Sequence, residues 1–215
     1  MKTLIVAGGV LRPRFLKTFL KKSPQDLVIA ADRGLDHLIA AGLTPDLILG
    51  DYDSTALDVG TISSGREIPV ERYPAEKNFT DMEAALNVAI KKGSSEIAIL
   101  GATGGRLDHF LANVQGLLLP LKVGIPARII DEQNEICLLD GPRKLQKKAA
   151  FGKYVSFLPL TGHCEGVTLR GFKYPLVDHV LEQGTSLGVS NEIVEEEATV
   201  EFQSGILVMV MSKDG

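Results

Sequence analysis

The sequence predicts an α/β fold, a mostly parallel sheet with flanking helices, followed by a smaller all-β sandwich. Three observations predict it. Through the first two-thirds of the chain, short runs that are apolar at every position alternate with segments of helical period. From about residue 143, strand-like runs divided by glycine-bearing turns replace them. The turn pair Gly141-Pro142 stands at the change of period, which divides the chain into 1–142 and 143–215.

The first strands are read at Leu4-Ile5-Val6-Ala7, Leu27-Val28-Ile29-Ala30-Ala31, Leu47-Ile48-Leu49, Ile97-Ala98-Ile99-Leu100 and Ala127-Arg128-Ile129-Ile130. Strands apolar on both faces belong in a parallel sheet that helices cover on both sides. Helices are expected near 11–21, 34–41, 80–92 and 107–119. The third is the best specified: Thr80-Asp81-Met82-Glu83 is a capping-box pattern, Met82, Leu86, Ala89 and Ile90 share a face, and Gly93 follows the end. In the β-rich part, strands are read at Tyr154–Leu158, Gly166–Leu169, Ala198–Phe202 and Ile206–Val210.

Composition excludes several function classes. With 45% hydrophobic and 23% charged residues, the chain reads as a globular protein. A net charge of −4 argues against a nucleic-acid partner, which would favour a clustered basic face. The densest basic group, Arg143, Lys144, Lys147 and Lys148, reads as a solvated strand or loop. The apolar start at Leu4–Ala7 is too short for a secretory core, and no run approaches the ~20 apolar residues of a membrane span. Cys137 and Cys164 have neither metal-ligand spacing nor the density of a disulfide framework, so a reducing cytoplasm is the expected setting.

The chemistry-bearing residues follow strand ends, where ligands bind in open parallel sheets. Asp32 follows the second strand, and Asp51 and Asp53 follow the third in Gly50-Asp51-Tyr52-Asp53-Ser54. Alternate residues of an extended chain point the same way, so this D-x-D sets two carboxylates side by side. Their repulsion is relieved by a hard cation such as Mg²⁺, which also bridges to phosphates. An isolated D-x-D is more often a pair of solvated turn acids. Asp81 opens a helix, where any acid favours the helix dipole, and Lys77 just upstream is within reach of a phosphate or simply solvated. The loop Gly101-Ala102-Thr103-Gly104-Gly105-Arg106-Leu107-Asp108-His109 joins a strand to a helix. Its glycines permit close backbone approach, its helix-start amides attract anions, and Arg106 can fork onto phosphate oxygens. Asp108 either receives a metal or caps the helix, and His109 is open between a structural and a chemical role. The loop matches neither the P-loop nor G-x-G-x-x-G.

Taken in order, four segments resemble the thiamine pyrophosphokinase family: Ala31-Asp32-Arg33-Gly34, Pro45–Ser54, Lys77-Asn78-Phe79-Thr80-Asp81-Met82-Glu83 and Gly104-Gly105-Arg106-Leu107-Asp108-His109. A fifth, Ser190-Asn191-Glu192, lies in the β-rich part, so the resemblance spans nearly the whole chain. It implies transfer of a pyrophosphoryl group from ATP to the hydroxyl of thiamine, giving thiamine diphosphate and AMP. It further implies Mg²⁺ as cofactor, an ATP-binding α/β domain, a thiamine-binding β-sandwich, and a homodimer with active sites at the subunit interface. By motif, Asp51, Asp53 and Asp81 hold the metal and the reacting groups, with Asp32 and Asp108 close by. Lys77, Gly104, Gly105, Arg106, His109 and Asn113 serve ATP, and Ser190 and Asn191 serve thiamine. Two positions depart from the family pattern: Arg33 stands where glycine is common and Asn78 where aspartate is common. The competing readings are another Mg²⁺-dependent phosphotransferase or phosphohydrolase, and a non-catalytic protein that binds a nucleotide or thiamine.

Overall fold

In the computed structural model of the chain, residues 1–50, 68–72 and 78–215 are described. Asp51, Asp53 and Lys77 lie outside the described residues. The chain divides into two compact units, Met1–Glu132 and Gln133–Gly215.

The first unit carries strands β1 (Lys2–Val6), β2 (Leu27–Ala31), β3 (Leu47–Gly50), β4 (Val70–Arg72), β5 (Glu96–Leu100) and β6 (Ala127–Ile130). Its helices are α1 (Pro13–Lys22), α2 (Gly34–Ala40), α3 (Asp81–Lys91), α4 (Leu107–Gly116) and the single turn α5 (Leu118–Leu121). The strands run in the order β6-β5-β1-β2-β3-β4, and every pairing among them is parallel. Leu4, Ile5, Ile29, Ile48 and Ile99 are fully enclosed, as apolar runs covered on both faces must be.

Right-handed crossovers decide the helix layers. The chain moves from β1 through β2 and β3 to β4 in one direction, then returns past β1 to β5 and β6. That reversal puts α1 and α2, which pack together, on one face and α3, with α4 and α5 beside it, on the other. The switch point falls between β1 and β5, where an open sheet of this kind leaves its ligand crevice. Pro13 starts α1, where a missing N–H costs nothing, and the Thr80 hydroxyl accepts the Glu83 N–H at 3.1 Å to start α3. Met82, Ala85, Leu86 and Ala89 then bury the inner face of α3.

The second unit carries β7 (Asn134–Leu139), β8 (Arg143–Gln146), β9 (Tyr154–Pro159), β10 (His163–Arg170), β11 (Leu176–Glu182), β12 (Asn191–Glu192), β13 (Glu197–Glu201) and β14 (Leu207–Ser212). They form two antiparallel layers, β12-β9-β14-β7 and β11-β10-β13-β8. Their inner faces share one core, in which Phe157 and Phe172 meet edge to face with ring centres 5.5 Å apart. The expected parallel sheet and β-sandwich are both present. The change of period at Gly141-Pro142 falls inside this unit, between β7 and β8. The basic segment holds β8, whose Lys144 pairs with Glu197 at 3.2 Å on the solvent side. Both cysteines are free thiols. Among the described residues, no helix is long and apolar enough to cross a membrane.

Candidate active site

Two sets of groups collect at the carboxyl ends of the parallel strands in the first unit. One is acidic and lies past β2 and β3. Asp32, the first residue after β2, is held in the left-handed region at φ 50° while its N–H donates to the Leu49 carbonyl at 2.8 Å. A non-glycine residue there costs roughly 1–2 kcal/mol, so the surroundings must enforce it. Gly50, the last residue of β3, passes close by. A Cβ on it would stand 3.3 Å from the Asp32 Cα and 3.6 Å from a carboxylate oxygen of Asp81. Asp32, Gly50 and Asp81 come from three separate elements and converge at one point, and Asp51 is the next residue in the chain. Asp32 and Asp81 are both half-buried.

The second set is built on backbone. The loop after β1 and the loop after β5 are laced together at the switch point by Gly9 N–H to the Gly101 carbonyl (2.6 Å) and Val10 N–H to the Thr103 carbonyl (2.9 Å). His37 of α2 reaches across to the Gly9 carbonyl, with Nε2 2.7 Å from the oxygen. Buried Asn113 donates from Nδ2 to the Ala102 carbonyl at 3.0 Å, which pins the β5–α4 loop from below. Gly104, Gly105, Arg106 and His109 are exposed on that loop and the first turn of α4. Arg106 grips Asp108 through both Nε (3.1 Å) and Nη2, and Asp108 also accepts the His109 N–H at 2.9 Å. Asp108 therefore takes up one N–H in the first turn of α4 and pairs with Arg106.

Those bonds, the Arg106 fork first and the His109 amide second, hold the Asp108 carboxyl down from its ordinary 3.8 to about 2. The folded chain binds this proton less readily than the unfolded chain does. The pair's contribution is thus complete above the ordinary carboxylate range and is lost as pH falls through about 2. Arg106→Ala is expected to raise the Asp108 carboxyl toward the ordinary range, with the His109 amide still holding it somewhat down, read by side-chain carboxyl NMR titration. An Asp108 that still titrates near 2 in the variant would contradict the assigned cause.

In the second unit, Ser190 is exposed and left-handed at φ 57°, and its N–H donates to the Ser156 hydroxyl at 3.0 Å. Asn191 is only 2% exposed. Its amide brackets the Tyr174 backbone: Oδ1 accepts the Tyr174 N–H at 2.9 Å and Nδ2 donates to the Tyr174 carbonyl at 2.7 Å. Asn191 thus acts on the segment around Tyr174, whereas Ser190 is exposed.

Asp32, Asp81, Arg106, Asp108 and Asn113 are marked as site residues by the sequence, whereas Gly8-Gly9, His37 and Ser156 are not. A glycine pair directly after the first strand was a usable signal for the loop. Nothing local marks His37 or Ser156, whose partners lie 28 and 34 residues away in the chain. Of the two departures from the family pattern, Arg33 sits at the start of α2 with its side chain 3.8 Å from Asp36, and Asn78 is exposed just before α3.

Among the described residues, no group of three or more His, Cys, Asp or Glu side chains is arranged to hold a metal ion. The Asp81 carboxylate oxygen beside Gly50 is a hard donor that suits Mg²⁺, and the Asp32 backbone packs against the same glycine.

Comparison with known proteins matches residues 18–129 to the family model described as thiamin pyrophosphokinase, catalytic domain, and residues 143–207 to thiamin pyrophosphokinase, vitamin B1 binding domain. Thiamine pyrophosphokinase of Bacillus subtilis (strain 168) is 37% identical over 217 aligned residues, covering 100% of both chains. The crystal structure of thiamine pyrophosphokinase from Bacillus subtilis superposes with a TM-score of 0.88 at 35% identity over 100% of both chains. That of thiamin pyrophosphokinase from Geobacillus thermodenitrificans gives 0.83 at 34% identity, over 100% of this chain and 99% of the other.

Proposed function

This chain belongs to the thiamine pyrophosphokinase family, and we propose on that premise that it transfers the pyrophosphoryl group of ATP to the hydroxyl of thiamine, releasing AMP. The observation that carries the assignment of the chemistry is the convergence of Asp32 and Asp81 on Gly50, immediately before Asp51.

In this reading the thiamine hydroxyl oxygen attacks the β-phosphorus of ATP, the bond from that phosphorus to the α–β bridging oxygen breaks, and AMP leaves with the bridging oxygen. The hydroxyl proton passes to a carboxylate or to water. Positioning and charge neutralisation supply most of the catalysis in such a transfer. Asp51, Asp53 and Asp81 would hold Mg²⁺, with Asp32 and Asp108 close by. When bound, Mg²⁺ neutralises charge on the phosphate oxygens. Lys77 and Arg106 contact the phosphates. Gly104 and Gly105 let the chain approach them, and His109 and Asn113 line or support the nucleotide side. Arg106 meets this task already oriented by Asp108, so its guanidinium is held in place before the anion arrives.

Ser190 contacts thiamine, and Asn191 serves the same site by holding the Tyr174 segment. We assign ATP to residues 1–142 and thiamine to residues 143–215. The working form is a homodimer with its active sites at the subunit interface, in the cytoplasm.

Mass spectrometry of a reaction containing ATP, Mg²⁺ and thiamine tests the proposal. AMP and thiamine diphosphate are expected in equal amounts, and neither without thiamine. Release of ADP or phosphate without thiamine would indicate a phosphohydrolase, and binding without any product would indicate a non-catalytic binder.

A further inference from the structure

The Ser190 backbone is out of step with the strand beside it. Asn191 and Glu192 pair in register with Val155 and Tyr154 of β9. Continued regularly, that ladder would set Phe157 opposite Val189. The Phe157 N–H instead donates to the Gly188 carbonyl at 2.9 Å, so the regular ladder ends at Asn191 and residues 187–190 form a turn against β9. A left-handed position in a turn is one that glycine ordinarily fills, because a Cβ crowds the following carbonyl. Here it is Ser190, at φ 57°. A side chain kept where its backbone is strained points to a use for that side chain.

The Ser190 N–H donates to the hydroxyl of Ser156, a buried residue in the middle of β9. On the far side, Asn191 is tied to Tyr174 and by Oδ1 to the Glu192 N–H. Ser190 is thereby fixed before, at and after its own position, while its side chain stays exposed.

We infer that Ser156 is a positioning residue for thiamine: by accepting the Ser190 N–H it holds Ser190 in the left-handed turn conformation that aims the Ser190 hydroxyl at the substrate. The inference rests on the assignment of Ser190 to thiamine made above, and the variants are chosen so that the two fail separately.

Steady-state kinetics are measured on the full chain with thiamine and ATP varied in turn, for Ser190→Ala, Ser190→Gly, Ser156→Ala, Ser156→Cys and the double variant Ser156→Ala/Ser190→Ala. Loss of one substrate hydrogen bond corresponds to a rise of about 5–10-fold in KM. That rise is expected for thiamine in Ser190→Ala and Ser156→Ala, with the KM for ATP unchanged. The double variant should be no worse than Ser190→Ala alone, because the clamp has nothing left to aim. Ser190→Gly should show the same rise in thiamine KM without any fall in Tm, since glycine accepts this backbone. A purely structural serine would not produce that split. Ser156→Cys keeps the size of the side chain with a weak acceptor, and tests the same bond should the alanine variant fold poorly.

An unchanged thiamine KM in both Ser156 variants, beside a raised one in Ser190→Ala, overturns the clamp and leaves the thiamine assignment standing. So does a double variant whose effects multiply. An unchanged thiamine KM in Ser190→Ala overturns the thiamine assignment itself, and the inference with it.

Discussion

Asp81→Asn is expected to lower the rate of AMP formation by about 10²–10³-fold while the protein remains folded. The reasoning separates two roles that one carboxylate plays at the start of α3. As a first-turn acid, Asp81 favours the helix dipole, a contribution of about 0.3–1 kcal/mol that Asn partly forgoes. The helix keeps its Thr80 cap and the buried face of Met82, Ala85, Leu86 and Ala89, so unfolding should shift only slightly. As a charge beside Asp32 and Gly50, Asp81 has no substitute, because an amide supplies neither the negative charge nor the second anionic oxygen a hard cation requires. Turnover and stability should therefore part company. A denaturant midpoint near wild type combined with near-normal kcat would remove Asp81 from the chemistry. Asp51→Asn is expected to behave in the same way.

Gly34→Ala is expected to destabilise the fold of the first unit. Gly34 is the first residue of α2, buried against β1, and a Cβ there would overlap the Val6 carbonyl oxygen and crowd the Ala7 nitrogen at 3.1 Å. Both obstacles are backbone at the end of β1, which cannot swing aside as a side-chain tip can. The start of α2 must lift off the sheet instead, at a cost of about 1–3 kcal/mol by the usual measure of overpacking. Asp32 and Arg33 precede Gly34 directly, so the left-handed turn at Asp32 moves with it. The expected result is a lower urea midpoint with unchanged slope, and reduced turnover even where the variant is fully folded. An unaltered midpoint would contradict the tight seat of α2 on β1.

The contrast between these residues shows what the linear sequence discloses. β1, β2, β3 and β5 are legible because strands buried on both faces are apolar throughout, and α3 because its cap, periodic face and terminal glycine all agree. The acids and the Gly-Gly-Arg loop are legible because they follow those strands. β8 and β11 are not. Arg143-Lys144-Leu145-Gln146 buries one residue of four, and β11 exposes most of its length. Pairing with neighbours, rather than their own pattern, makes them strands. β7 is polar at its first two residues and lies just before the Gly141-Pro142 turn, so the change of period masks it. The left-handed turns at Asp32 and Ser190 and the fit of Gly34 on Val6 depend on backbone approaches between distant segments, which no local pattern encodes. Asn191 illustrates the same point for function. Its place in a family motif suggested contact with thiamine, while its buried amide is taken up by Tyr174.

Pyrophosphoryl transfer is tested by following both phosphates of the transferred group. With ATP labelled separately at the β- and γ-phosphorus, and with Mg²⁺ and thiamine present, both labels should appear in thiamine diphosphate, with unlabelled AMP formed one for one. Transfer of the γ-label alone, with the β-label retained in ADP, would contradict pyrophosphoryl transfer and with it the account of the site.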